Sequence, residues 1–313
     1  MRVILARPRG FCAGVERAID VVERSLRAFD GPVYVRHEIV HNHRVVADLR
    51  SRGAVFVENV DEIPVGAPIV FSAHGVSKAV KSEAESRSLQ AIDATCPLVT
   101  KVHRQVTRLN RLGFEILLIG HAGHPEVEGT LGQLSASITL IQNAEDAENV
   151  EVEDPARVAY VTQTTLSLDD TQEIVAVLRR RFPALQSPPT DDICYATSNR
   201  QMAVKRLAQR VDLFIVIGAA NSSNSNRLVE VAQSEGVPAH RIASVEELDR
   251  TWFDHAQVVG ISAGASVPEV LVEEVLAHLR EGFSAEVEDD QEGFDENVFF
   301  PVPLELREAT RAP

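Results

Sequence analysis

The chain has 313 residues, 44% of them hydrophobic and 25% charged, enough length and apolar content for two or three packed units rather than a disordered chain. Acidic residues outnumber basic ones by 46 to 31, a net charge of −15 that argues against a nucleic-acid or anionic-membrane partner while leaving room for a local anion site. No apolar run approaches the roughly 20 residues of a membrane span, and no leader pattern precedes the first apolar run, so a cytoplasmic protein is expected.

In chain order, short β-rich runs lie at residues 3–6, 33–35, 69–72, 115–119, 158–161, 213–217 and 258–262. Nearly every one is followed by a helical pattern. In the first of these, Val15, Ala18, Ile19, Val22 and Leu26 recur at helical spacing. Such alternation predicts an α/β fold with mostly parallel sheets. The only cysteines, Cys12, Cys96 and Cys194, are far apart, and each opens a predicted helix. Counting forward 28 or 29 residues from each reaches His41, His124 and Ser222, all just beyond a predicted strand. A further strand in each segment ends in a polar turn: Ser72-Ala73-His74-Gly75, Thr162-Gln163-Thr164-Thr165 and Ser262-Ala263-Gly264-Ala265-Ser266. This register predicts three related α/β units, residues 1–95, 96–193 and 194–283, closing around a pseudo-three-fold axis. Residues 284–313 break the pattern and read as an acidic linker and tail, in which the Phe299-Phe300 pair is able to pack back on the body.

An odd cysteine count in a leaderless chain points away from a disulfide framework, towards thiols or metal ligation. The plain alternative is three small buried side chains. Helix N-termini favour the thiolate. Zinc sites ordinarily use a close Cys pair, which this chain lacks. Iron–sulfur clusters take four thiolates, and three would leave one metal position open. Within His121-Ala122-Gly123-His124-Pro125-Glu126, Glu126 is the candidate proton donor, with Glu128 directed away or capping the next helix. His41, His74 and His124 are candidate ligand-binding side chains, against the alternative of structural turn histidines. Of Thr164 and Thr165, one hydroxyl is free to cap the following helix and the other to relay a proton or bind a substrate hydroxyl. The run Asn221-Ser222-Ser223-Asn224-Ser225-Asn226-Arg227, with Ser266, makes an anion cradle suited to a phosphate or diphosphate; its plain alternative is a flexible loop. Nucleotide fingerprints are absent. These residues together describe a cluster or metal enzyme acting on a small phosphorylated molecule.

The same segments resemble the IspH/LytB family, the 4-hydroxy-3-methylbut-2-enyl diphosphate reductases. The match runs in order from Arg9-Gly10-Phe11-Cys12-Ala13-Gly14 through His37-Glu38-Ile39-Val40-His41-Asn42, Ser72-Ala73-His74-Gly75 and Asp93-Ala94-Thr95-Cys96-Pro97. It continues through residues 120–129, 162–166, 191–197 and 221–227 to Ala263-Gly264-Ala265-Ser266. The resemblance implies three α/β units around a central [4Fe–4S] cluster held by Cys12, Cys96 and Cys194, with one iron open. It implies substrate contacts from His41, His74, His124, Thr164, Thr165, Ser222, Ser223, Asn224 and Ser266, and Glu126 as the proton source. The implied reaction is reductive removal of the substrate hydroxyl to give isopentenyl and dimethylallyl diphosphate. A ferredoxin or flavodoxin is the implied electron donor, and Arg179-Arg180-Arg181 is a candidate patch for it. A lysine common before the Asn-Ser-Ser-Asn run is replaced here by Ala219-Ala220. Competing readings are a non-redox iron–sulfur hydro-lyase, which also uses an open iron, an iron–sulfur sensor that binds a partner protein, and a zinc hydrolase.

Overall fold

The structure is a computed structural model that describes residues 1–135 and 138–309. In chain order the strands are β1 (Arg2–Leu5), β2 (Val33–Arg36), β3 (Ala54–Val57), β4 (Pro68–Phe71), β5 (Gln90–Asp93), β6 (Glu115–Ile119), β7 (Thr139–Ile141), β8 (Val158–Thr162), β9 (Leu213–Ile217), β10 (Ala239–Ile242), β11 (Val258–Ala263) and β12 (Glu286–Asp289). The α-helices are α1 (Ala13–Ala28), α2 (His43–Ser51), α3 (Lys78–Ser86), α4 (Pro97–Arg111), α5 (Pro125–Leu131), α6 (Ala144–Asn149), α7 (Leu168–Arg181), α8 (Tyr195–Ala208), α9 (Ser223–Ser234), α10 (Glu269–Phe283) and α11 (Leu304–Ala309). Every strand pairing among the described residues is parallel, as expected from the alternation of strands and helices. No helix among them is long and apolar enough to cross a membrane.

The chain divides into two compact units. The first comprises Met1–Ala13, His41–His43 and Tyr195–Phe299. Its sheet has the order β10-β9-β11-β1-β12. Successive residues of a strand face opposite sides, so β9 sends Leu213, Ile215 and Ile217 to one face and Phe214 and Val216 to the other. The first set packs with Leu271, Val272, Val275 and Leu279 of α10. The second packs with Val204 and Leu207 of α8 and Leu228 and Val231 of α9. Helices on both faces explain why the central strand is a continuous apolar run.

The second unit comprises Gly14–Val40, Arg44–Cys194 and the described residues from Phe300 onward. It holds two sheets, β3-β2-β4-β5 and β7-β6-β8. Val102, Val106 and Leu109 of α4 pack on Ile116, Leu118 and Val161, a helical stripe meeting alternate strand residues. The other face of the same sheet, Leu117, Ile119 and Tyr160, packs on Ile174 and Leu178 of α7.

Two placements differ from the sequence reading. Strand β1, grouped by sequence with residues 1–95, pairs with β11 and β12. Val3 and Leu5 then join the core beneath α10. The acidic segment after residue 284, expected as a solvated linker, supplies edge strand β12. Its charges are met by arginines distant in sequence: Arg2 with Glu288 (2.7 Å), Arg9 with Asp289 (3.0 Å), and Arg206 and Arg210 with the fully buried Asp290. Phe299 remains exposed at 82%.

Candidate active site

Polar turns at the carboxyl ends of parallel strands are where such folds bind ligands. In the second unit, α5 opens on His124-Pro125-Glu126. Pro125 presets the first helical turn, and His124 caps it, its Nδ1 accepting from the Glu126 N–H at 3.2 Å. This start points Glu126 inward, to 2% exposure, while Glu128 stays exposed. The Glu126 carboxyl meets the turn after β8. Thr164 donates to it twice, from N–H to Oε1 at 2.6 Å and from Oγ1 to Oε2 at 2.9 Å. Burial pushes the carboxyl up to about 7; the two Thr164 bonds oppose this and the charge of Asp192 adds to it. A carboxyl titrating there can give up a proton near neutral pH.

The neighbouring hydroxyl is engaged elsewhere. Thr165 Oγ1 accepts from Gln163 Nε2 at 2.8 Å, and Gln163 Oε1 accepts from the His121 N–H at 3.1 Å. Cys194 is tied to the same turn, its N–H donating to the Thr164 carbonyl at 3.0 Å. Cys96 stands at the N-cap of α4, and its N–H donates to the Ala73 carbonyl at 2.9 Å, beside His74. The His74 and His124 rings meet edge to face, 5.8 Å between centroids. The second unit therefore gathers His74, His124, Glu126, Thr164 and Thr165 with the turns of Cys96 and Cys194.

In the first unit, the Cys12 turn hangs on the turn after β11, through Gly10 N–H to the Ala263 carbonyl (3.0 Å) and Cys12 N–H to the Ala265 carbonyl (3.2 Å). Ser266 Oγ donates to the His41 carbonyl at 3.0 Å. Ser222 caps α9, accepting from the Ser225 N–H at 3.3 Å and from Ser225 Oγ at 2.9 Å. Gly218 and Gly264 make this packing possible: a Cβ on either would lie 2.1 Å from Ser225 Oγ. Asn224 Oδ1 accepts from the Ala265 N–H at 2.9 Å, while its buried Nδ2 has no hydrogen-bond partner among the described residues. An unmet buried amide donor beside two serines is a feature an anionic ligand would satisfy. The first unit thus gathers Cys12, His41, Ser222, Ser223, Asn224 and Ser266.

Several participants were not singled out in the sequence. Arg200 is fully buried and donates to the carbonyls of Gly10 (2.7 Å), Phe11 (3.3 Å) and Ala196 (2.9 Å), and it pairs with Glu296. It clamps the strand-to-helix turn that carries Cys12. The Tyr195 hydroxyl accepts from the Ala13 N–H at 3.2 Å, and burial, with the Cys12 charge next, raises its pKa. Asp192, buried and paired with Lys101 at 3.2 Å, accepts from the Thr162 N–H. Burial raises its pKa, against the pull of Lys101. Tyr195 and Asp192, which flank Cys194 within residues 191–197, were discoverable by adjacency.

None of the three cysteines is in a disulfide, and all are half-buried at helix starts. Among the described residues no three His, Cys, Asp or Glu side chains are close enough to hold a single metal ion.

An all-parallel α/β chain with a buried carboxyl poised near neutrality and unbridged thiols at helix starts has the parts of a proton-transferring enzyme with a thiolate-bound group. A family model described as LytB protein matches residues 3–280. The chain belongs to the LytB family, as its motifs led us to expect. It is 56% identical over 305 residues, 97% of each chain, to a protein of Aromatoleum aromaticum named 4-hydroxy-3-methylbut-2-enyl diphosphate reductase. It is similar to the solved E-1-hydroxy-2-methyl-but-2-enyl-4-diphosphate reductase from Plasmodium falciparum, with TM-score 0.94 and 35% identity over 99% of this chain and 98% of that one. A second solved structure, described as (E)-4-hydroxy-3-methyl-but-2-enyl diphosphate reductase, the terminal enzyme of the non-mevalonate pathway, matches with TM-score 0.64 and 35% identity over 90% of this chain and all of that one.

Proposed function

We infer that this chain is an oxidoreductase that removes the hydroxyl of 4-hydroxy-3-methylbut-2-enyl diphosphate, the last step of the non-mevalonate isoprenoid pathway. The observation that carries this, beyond family membership, is the buried Glu126 carboxyl held by both Thr164 donors and titrating near 7. The reaction breaks a C–O bond and forms a C–H bond. It consumes two electrons and two protons, releases water, and yields isopentenyl or dimethylallyl diphosphate. We assign the protonation of the leaving oxygen to Glu126, with Thr164 fixing the carboxyl's orientation and Thr165 lining the same turn. The diphosphate falls to His41, His74, His124, Ser222, Ser223, Asn224 and Ser266. These are hydroxyl, amide and imidazole donors, which suit an anion in a chain of net charge −15.

The donor chemistry fits an iron–sulfur group. Three unbridged thiols each stand at a helix start, where the positive end of the helix favours thiolate. We propose Cys12, Cys96 and Cys194 as ligands of one [4Fe–4S] cluster. When bound, that cluster supplies the electrons and one Lewis-acidic iron left open by three-thiolate ligation. A ferredoxin- or flavodoxin-type protein is the proposed electron donor, and the cytoplasm the proposed location.

The test is anaerobic purification with iron and sulfide analysis, followed by turnover of the diphosphate substrate with a reduced dye. About four irons per chain and two electrons consumed per substrate are expected. Substrate consumed without electron uptake would replace the reductase reading with a hydro-lyase.

A further inference from the structure

The proposed reaction needs electrons from outside the chain, and therefore a surface that receives their carrier. The run Arg179-Arg180-Arg181 is the obvious patch in sequence, but each of its arginines already has a partner within the chain. Arg180 pairs with Glu148, Arg181 donates to the carbonyls of Ala147 and Val150 (both 2.6 Å), and Arg179 donates to Ser187 Oγ at 3.2 Å.

Helix α4 is different. It carries Lys101, Arg104, Arg108 and Arg111 and no carboxylate, in a chain where acidic residues outnumber basic ones 46 to 31. Val99, Val102, Val106 and Leu109 form its buried stripe. Arg104, Arg108 and Arg111 are exposed, and their spacing of four and three places them on one face. None of the three is paired with a carboxylate among the described residues. Helix α8 also lacks acidic residues, but Glu296 neutralises its Arg200 and Asp290 its Arg206. A cavity of about 270 Å³ opens beside Arg104 and Arg111, lined also by Lys81, His103 and Thr107. The one carboxylate lining it, Asp93, is held by Lys81 at 2.7 Å. Helix α4 begins at its N-cap Cys96, and Arg104 lies about 12 Å along the axis from it.

We propose that the exposed basic face of α4, with its adjoining cavity, is the docking surface for an acidic electron-transfer protein. An acidic donor is repelled by most of this chain and drawn to a helix face whose three exposed arginines have no carboxylate partner among the described residues, which both speeds encounter and fixes orientation. Electron transfer weakens steeply with distance, and this helix starts at a proposed cluster ligand. The inference rests on the reductase reading.

The test uses the cluster-loaded chain and an acidic plant-type [2Fe–2S] ferredoxin as probe. The triple variant Arg104→Glu/Arg108→Glu/Arg111→Glu is compared with wild type and with Arg27→Glu/Arg280→Glu, an exposed charge-reversal control elsewhere. Ferredoxin binding is measured by calorimetry at low and high salt, and turnover with reduced ferredoxin and with a reduced dye. The expected result for the triple variant is binding weakened by about tenfold or more at low salt. Its salt dependence should be lost and its ferredoxin-driven turnover should fall, with dye-driven turnover unchanged. The control variant should lose much less. Unchanged ferredoxin binding in the triple variant, or an equal loss in the control, would overturn the docking surface. Absence of dye-driven turnover in wild type would instead overturn the reductase reading and this inference with it. If the triple variant does not fold, the single Arg108→Gln variant read by the same calorimetry decides, and unchanged affinity and salt slope count against the proposal.

Discussion

Replacing Glu126 by Gln separates the chemistry of this residue from its structural cost. The folded carboxyl titrates at about 7 against a reference of 4.5. Below the reference value both folded and unfolded chains hold the proton, and stability is at its fullest. Between the two values the unfolded chain ionises while folded Glu126 does not, so stability falls as pH rises. Above about 7 the loss is complete, and at 1.36 kcal/mol per pH unit it amounts to about 3 kcal/mol. Glutamine has the same shape and no charge. Its oxygen keeps the Thr164 N–H bond, and the Thr164 hydroxyl can turn to accept from its amide. Glu126→Gln should therefore lie within about 1 kcal/mol of wild type near pH 5 and exceed it by up to about 3 kcal/mol near pH 8.5, while turnover falls by about 10² or more. Anaerobic urea denaturation followed by circular dichroism at the two pH values reads the first effect, and the reduced-dye assay the second. A variant less stable than wild type at both pH values would refute the picture of a carboxyl buried as its neutral form. Turnover near that of wild type would remove Glu126 from the proton path.

The acid must be protonated to act, so kcat should decline as pH rises through about 7. Thr164→Val removes a bond that lowers the Glu126 pKa, and should move that decline to higher pH; Thr165→Val, whose hydroxyl serves Gln163, should leave its position unchanged in the same pH–rate profile. Arg200→Met leaves the partly buried Glu296 without its cation and should cost about 3 kcal/mol. Trp252, the one tryptophan and a residue of the first unit, reports this by fluorescence; the double change Arg200→Met/Glu296→Gln should cost less than the sum of the two single changes. Ending the chain at Ser284 strips β12 from the sheet and leaves Arg206 and Arg210 without Asp290, so the truncated protein should melt at lower temperature and aggregate.

Much of the candidate site was legible because it is local. The three thiols, Glu126 and the Ser-Asn run lie in short segments whose composition fits no ordinary core or surface, and each ends a strand or opens a helix. The choice between Thr164 and Thr165 was not local. Both hydroxyls sit in the same turn, and only the packing of α5 against it brings Glu126 to Thr164. Arg200 was invisible for the same reason, because its partners Gly10 and Glu296 lie 190 and 96 residues away.

The strands show where the boundary falls. All six interior strands, β1, β2, β4, β6, β9 and β11, stand out in the sequence, because burial on both faces demands a continuous apolar run. Of the edge strands only β8 does, and each of its residues is buried. The others, β3, β5, β7, β10 and β12, are three or four residues long and partly exposed, so their composition carries little signal. The sequence by itself therefore determined the fold class and the family and supplied the candidate site residues. Tertiary structure alone decided that β1 joins the last strands of the chain, that the acidic tail becomes a sheet edge neutralised by distant arginines, and that Glu126 titrates near 7. Each of these depends on desolvation or charge pairing between residues far apart in the chain, energies that no local pattern encodes.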